Sequence, residues 1–180
     1  MKVKTSTALA IIAIVAGFVI AQSQTPRPQQ TKAEDVVRLW FERWNALDGS
    51  DAATDKLLEL YRPDAFHQTS PNDKQLGQVR FDGRTSIRQM IDEFAKANKD
   101  ITYRIDSATG NEKSVQVINV AELPWNASSA SVQFIGAYTN RKDNRRWMTP
   151  GSAFFQIQDG QIVGARFYIP RAETMEVFNR

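Results

Sequence analysis

The sharpest chemical candidate in this chain is His67, its single histidine. An imidazole with an unperturbed pKa of about 6.5 can take or give a proton near neutral pH, so it suggests general acid–base work. The acid nearest in sequence is Asp64, whose place after Pro63 suits a turn cap better than a catalytic pair. No carboxylate partner can be assigned from the sequence. A half-buried histidine hydrogen-bonded to backbone is therefore the simpler reading, and it carries more weight. Other patterns are thinner. Asn140–Arg146 gathers Arg141, Lys142, Arg145 and Arg146 around one acid, Asp143, and is expected to be a solvated hairpin tip rather than an anion site. Asn126-Ala127-Ser128 is a glycosylation acceptor only in a eukaryotic secreted chain. Leu123-Pro124-Trp125 fits an ordinary strand connection better than a flap beside a pocket. The sequence holds no phosphate-binding glycine loop, no clustered metal-ligand pattern and no nucleophile elbow, so neither metal nor cofactor is expected.

The elements that must position these groups follow from periodicity. Thr31 with Glu34 forms a reciprocal capping pair, and a helix is expected over about Lys32 to Ala46. Val36, Val37, Trp40, Phe41, Trp44 and Leu47 share its apolar face, while Asp35, Arg38, Glu42 and Asn45 take the other. Asp48-Gly49-Ser50 breaks it. A second helix is predicted from about Asp51 to Tyr61, turning Ala53, Leu57, Leu60 and Tyr61 to one side, with Pro63 as its stop. Ala65 to Thr69 fits a short strand and Pro71 to Gln78 a polar loop. A third helix, capped by Thr85 or Ser86, runs to about Asn98 with Ile87, Met90, Ile91, Phe94 and Ala95 inside.

Beyond it the period becomes two. Ile101, Tyr103 and Ile105 alternate with Thr102, Arg104 and Asp106. Val115, Val117 and Ile118–Val120 form the next candidate strand, and Ser131 to Thr139 another. Trp147 to Gln158 and Gln161 to Ile169 are joined by Asp159-Gly160, a two-residue hairpin signal. On the last strand the apolar set Val163, Ala165, Phe167 and Ile169 is expected inward, leaving Ile162, Gly164, Arg166 and Tyr168 outward. Arg166 is then a surface or interface residue. Helices first and mostly antiparallel strands after them give an α+β fold, three helices covering one face of a curved sheet.

Asp35–Leu47, Leu58-Glu59-Leu60-Tyr61-Arg62-Pro63-Asp64, Phe81-Asp82-Gly83 running into Ile87-Arg88, and Asp159-Gly160-Gln161-Ile162-Val163 occur in that order. Together they resemble the nuclear transport factor 2-like superfamily, in its SnoaL-like and ketosteroid-isomerase-like branch, over nearly all of the chain beyond the N-terminal segment. The resemblance implies a cone-shaped roll around a central pocket and frequent dimerisation through the outer sheet face. It does not imply one chemistry. The tyrosine that stabilises the enolate in ketosteroid isomerases matches Trp40. Their basic aspartate, placed before a proline, matches Ser70 ahead of Pro71, with Thr69 before it. The acid–base aspartate of SnoaL-like cyclases falls on Phe167, and scytalone dehydratase-like enzymes use two histidines where this chain has His67 alone. His67 does sit on the segment that carries catalytic residues in relatives.

On a cone, Trp40, Trp44, Tyr61, Phe66, Phe94, Phe155 and Phe167 all fall on elements around the interior. Each taken singly is most simply a core residue; as a set they predict an apolar pocket for a small ring-containing or lipid-like ligand. Two rivals stand beside that binding reading. One is a lyase, isomerase or hydrolase using His67 with Tyr61 or Asp64. The other is an interaction module, filled by its own aromatics and acting through its outer sheet face as a homodimer.

The N-terminus carries Lys2 and Lys4 ahead of the uncharged apolar stretch Ala8–Ala21, with Val19 and Ala21 as the small residues before a cut. Residues 1–21 are thus expected to be a cleaved signal peptide, 22–30 a polar linker and 31–180 a single domain. The stretch is shorter than a spanning helix and interrupted by Gly17, so membrane attachment follows only if it is retained. Secretion or a periplasmic location is the expectation. The formal charge of +3 loses both lysines with the signal, leaving near neutrality and no electrostatic case for nucleic acid. There is no cysteine, so no disulfide staples the fold.

Overall fold

A computed structural model describes residues 33–69, 80–105, 118–169 and 175–177. The expectations for the signal segment, the linker, Thr31, Ser70, the loop Pro71 to Gln78, Asp106, Val115 and Val117 lie outside the described residues.

The α1 helix, Ala33–Asn45, buries Val36, Val37, Trp40, Phe41 and Trp44 as its periodicity predicts, and Leu47 just beyond it is buried too. Gly49, at φ +91°, makes the break. Ser50 then caps α2, Asp51–Leu58, its hydroxyl accepting from the Ala53 N–H at 3.3 Å. The second helix ends three residues before Tyr61. Its predicted continuation is overridden by sheet pairing: the Leu60 carbonyl accepts from Ile162 N–H at 2.7 Å, and strand β1, Tyr61–Gln68, runs parallel to β7, Gln161–Tyr168. Pro63 sits inside β1 rather than ending a helix. It falls where the β1–β7 register shifts, between Tyr61 and Phe66, and there a missing N–H is tolerated.

After β2, Arg80–Asp82, the helix α3 spans Gly83–Ala97. It begins earlier than predicted, with Asp82 at the N-cap instead of Thr85 or Ser86. The Asp82 carboxylate makes no capping bond because Arg80 holds it at 2.8 Å. Ile87, Met90, Ile91 and Ala95 are buried and Phe94 is half-buried against them. Strands β3 (Asn98–Ile105), β4 (Ile118–Leu123), β5 (Ala127–Asn140), β6 (Arg146–Gln158), β7 and β8 (Met175–Val177) follow.

The sheet order is β2-β1-β7-β6-β5-β3, with β4 also on β5 and β8 also on β6; β1–β7 is the parallel pair. The 14-residue β5 gives its first half to β4 and its second half to β3. The helices cover the inner face of this bent sheet, and the core lies between. Asp159 and Gly160 both have positive φ, the primed turn that their dipeptide predicts. Asn140–Arg146 closes the β5–β6 hairpin as a solvated tip. Leu123-Pro124-Trp125 belongs to a tight strand connection, Leu123 facing Ala127 across it.

Parity on β7 needs one correction. Ile157 pairs with Ile162 and Gln156 with Gly164, so Val163 is an extra residue in a β-bulge. Ile162 is therefore in the core and Val163 is not, whereas Ala165 and Phe167 point inward as expected. Arg166 and Tyr168 lie on the outer face. Three times an aromatic ring lies over the glycine opposite it on the next strand: Tyr103 over Gly136, Phe134 over Gly151, Phe66 over Gly164. A Cβ on those glycines would stand 2.7, 2.6 and 2.5 Å from the rings, so glycine is what allows the close approach.

Candidate functional site

Strand alternation decides which face each β1 side chain takes. Ala65, His67 and Thr69 point inward and are buried, which puts Phe66 on the opposite face. Phe66 does not join the interior aromatics. Its ring is half-buried on the outer face, with the Arg80 and Arg166 guanidinium groups 4.1 and 4.7 Å from its centroid.

The interior is organised around Trp40, 1% exposed. Its ring stacks on Trp44 at 4.9 Å and 17°, and lies 4.9 Å from Phe167 and 5.6 Å from Phe155. His67 stacks on Phe167 at 4.8 Å and 11°. Phe94 meets the far side of Trp44 at 5.3 Å. Of the aromatics singled out in the sequence, Trp40, Trp44, Tyr61, Phe94, Phe155 and Phe167 thus surround one interior. Phe41, Tyr103 and Phe134 belong to the same cluster, with Phe134 at 5.8 Å from Phe167 and Tyr103 at 5.8 Å from Trp44. Their inward strand or helix parity was the signal that marks them.

Through this apolar interior runs one polar chain. Trp40 Nε1–H donates to Tyr61 Oη at 2.8 Å, and Tyr61 Oη lies 3.0 Å from His67 Nδ1. Tyr61 is fully buried and His67 is 3% exposed. His67 therefore bonds to a phenol, not to backbone as the simpler sequence reading has it. Burial disfavours the charged ring and lowers the His67 pKa to about 3, and burial likewise pushes the Tyr61 hydroxyl well above its usual range. Both groups are neutral at physiological pH. Asp64 takes no part: it is exposed and paired with Arg62 at 3.1 Å.

Proton counting fixes the first bond of the chain: an indole N–H can only donate, so Tyr61 Oη accepts from Trp40. The second bond holds either the Tyr61 proton given to Nδ1 or an Nδ1–H given to Tyr61 Oη, and the two arrangements make the same number of hydrogen bonds. Three buried polar atoms have no partner among the described residues: Trp44 Nε1, Thr69 Oγ1 and Asn98 Oδ1, the last at the α3–β3 junction. Buried polar groups nearly always have partners, so these three are exceptions to the general pattern. Among the described residues no group of three or more His, Cys, Asp or Glu is placed to hold a metal.

A concavity of about 570 Å³ opens on the outer sheet face and is lined by Ser129, Phe154, Phe155, Gln156, Arg166 and Tyr168. It lies across the sheet from His67 and shares none of the buried polar chain.

Solved structures share this fold. One is the epoxide hydrolase/cyclase-like enzyme SalBIII, described with a role in pyran ring formation in the polyether salinomycin; it is 16% identical with a TM-score of 0.60, covering 80% of this chain and 95% of that one. Another is a nuclear transport factor 2-like superfamily protein from Salmonella enterica serovar Typhimurium, 12% identical, TM-score 0.57, covering 76% and 87%. A third, from Catenulispora acidiphila, has a ketosteroid isomerase-like fold and was solved with trimethylamine; it is 10% identical, TM-score 0.54, covering 76% and 86%. At these identities the likeness shows the fold alone. No curated protein matches the chain in sequence. The SnoaL-like domain model matches residues 37–165, from α1 through most of β7, and the chain belongs to that family.

Proposed function

We propose that this protein binds a small, largely apolar, ring-containing ligand inside the cone, among Trp40, Trp44, Tyr61, Phe94, Phe155, Phe167 and His67. The carrying observation is the pair of orphaned groups, Trp44 Nε1 and Thr69 Oγ1, buried in an aromatic interior that also holds His67. Aromatic walls with a few convergent polar groups are the usual composition of a small-molecule site. SalBIII, which shares this fold, is described with a role in pyran ring formation, and that supports the ligand class. A neutral histidine with a pKa lowered to about 3 is a weak base at neutral pH, so binding is favoured over proton abstraction by His67.

Native mass spectrometry of the purified protein tests this, followed by displacement of an environment-sensitive dye. A co-purifying ring compound, or dye displaced by ring compounds, is the expected result. A clean mass with no dye bound would overturn the reading. The segment through Ala21 is proposed to direct export, for which N-terminal sequencing of the exported protein should begin at Gln22; an intact Met1 would instead mean a retained anchor.

The outer face favours a second, compatible role in self-association. Phe154 and Tyr168 are 43% and 48% exposed and meet edge to face at 5.6 Å beside Arg166. Paired exposed aromatics of this kind mark a contact surface, and a homodimer is the proposed occupant.

A further inference from the structure

We infer that the outer-face concavity beside Arg166 is a separate binding site, complete within one chain, for a small aromatic monocarboxylate. Its carboxylate pairs with the Arg166 guanidinium and its ring rests on Phe154 and Tyr168. The inference goes beyond the interior reading and does not depend on it.

Strand register brings the parts of this site together. Phe154 faces Arg166 directly across β6 and β7, Gln156 faces Gly164, and Ser129 faces Gln156 from β5. Residues directly opposed on one sheet face hold their side chains within reach of one another, so a cation, a ring, an amide and a hydroxyl line one hollow. Tyr168, two residues beyond Arg166 on the same face of β7, meets Phe154 edge to face at 5.6 Å and extends the aromatic floor. The hollow of about 570 Å³ lies within the usual range for a small-molecule site.

Charge decides the ligand class. Two guanidinium groups lie against the Phe66 ring, but their charges are differently placed. Arg80 is paired with Asp82 at 2.8 Å. Arg166 is half-buried and has neither an ion pair nor a hydrogen bond among the described residues. A ring face attracts its charge but supplies no oxygen for its five N–H donors. Those donors form a planar fork that fits a carboxylate through two parallel bonds. One uncompensated positive charge matches one carboxylate, whereas a phosphomonoester, at about −1.5 to −2, would stay unbalanced. Phe154 and Tyr168, both exposed, then cover the ring of the ligand.

Three probes of one shape test this by equilibrium dialysis: naphthoate, naphthamide and naphthyl phosphate. The protein is kept dilute, because a second copy on this face would compete for Phe154 and Tyr168. Naphthoate should bind about tenfold or more tightly than naphthamide, as one charge-assisted pair requires. High salt should weaken naphthoate and leave naphthamide unchanged. Desolvating a carboxylate among the interior aromatics would be costly, so a preference for the anion reports the outer site. Equal binding of the carboxylate and the amide, or binding of neither, overturns the inference. Tighter binding of the phosphate overturns the monocarboxylate assignment.

Two variants locate the site. Arg166→Gln should lower naphthoate to the affinity of naphthamide, a loss of about tenfold; a charge preference that survives the substitution overturns the role of Arg166. Phe154→Ala should weaken the carboxylate and the amide alike, because both rest on that ring. Unchanged affinity for both overturns the aromatic floor. Phe154 is 43% exposed, so this second test stands even if Arg166→Gln does not fold. Failure of the interior reading would leave these results intact, since neither variant alters an interior aromatic.

Discussion

Burial at His67 separates two protonation equilibria, and the separation makes stability depend on pH. In the unfolded chain the imidazole has a pKa of about 6.5; in the folded protein it is lowered to about 3. Above the unfolded value both states are neutral and the full stability is present. As pH falls through that value the unfolded state takes up a proton that the folded state refuses, and stability declines by up to about 1.4 kcal/mol per pH unit until the folded pKa is reached. The melting temperature should therefore drop steadily from pH 7 to pH 4.5, a window above most carboxylate titration. His67→Gln should show a nearly flat profile there; the wild-type slope persisting in that variant would contradict this account. Tyr61→Phe tests the chain next to it. The substitution leaves Trp40 Nε1 and His67 Nδ1 without their shared partner, so urea unfolding should show a loss of about 1–3 kcal/mol. His67→Phe combined with Tyr61→Phe should cost less than the two singles added, because both remove the same bond; full additivity would show that the two side chains are not coupled.

At the level of elements, the bend of the sheet depends on rings that lie over glycines. Phe134 is buried, and Gly151 opposite it lies where a Cβ would come within 2.6 Å of the ring and 3.0 Å of the Tyr168 carbonyl oxygen. The Phe134 ring is packed in the core, so Gly151→Ala should destabilise by about 1–3 kcal/mol, measured by chemical denaturation. A neutral substitution would mean that the strands can part. This is also the scale at which reading the sequence succeeded and failed. Alternation along Ile101, Tyr103 and Ile105, and the Asp159-Gly160 turn, are local signals, and both appear as expected. The end of α2 and the start of β1 are not local: Leu60 and Tyr61 leave the helical pattern because Ile162, far along the chain, captures them. The β7 bulge reversed the parity at its first residues for the same reason, since register is a property of two strands. Phe66 carried a legible warning. It precedes His67 directly, and two neighbours on one strand cannot both face the interior. His67 itself was found by its chemistry, and Tyr61 was named beside it, with Asp64, in the enzyme reading; the bond between them was not legible because Tyr61 was assigned to a helix.

Considered as one molecule, the protein has two faces of different character separated by a single sheet. The inner face carries the buried aromatics and their neutral polar chain; the outer face carries cations held over an aromatic ring, Arg80 and Arg166 against Phe66, next to exposed Phe154 and Tyr168. Association through the outer face would cover Phe154 and Tyr168 without touching the interior, so assembly and ligand binding should be separable by mutation. Sedimentation of the wild type should show a dimer, and Phe154→Glu with Tyr168→Glu should give a monomer, because two carboxylates would have to be desolvated at the contact. Both side chains point to solvent in the single chain, so the double variant should keep its circular dichroism spectrum and its capacity to bind a ring compound. A wild type that sediments as a monomer at every concentration would sink the dimer proposal. A monomeric double variant that also loses the ligand would show that the two faces are coupled through β6 and β7, the strands that present Phe155 and Phe167 inward and Phe154 and Tyr168 outward.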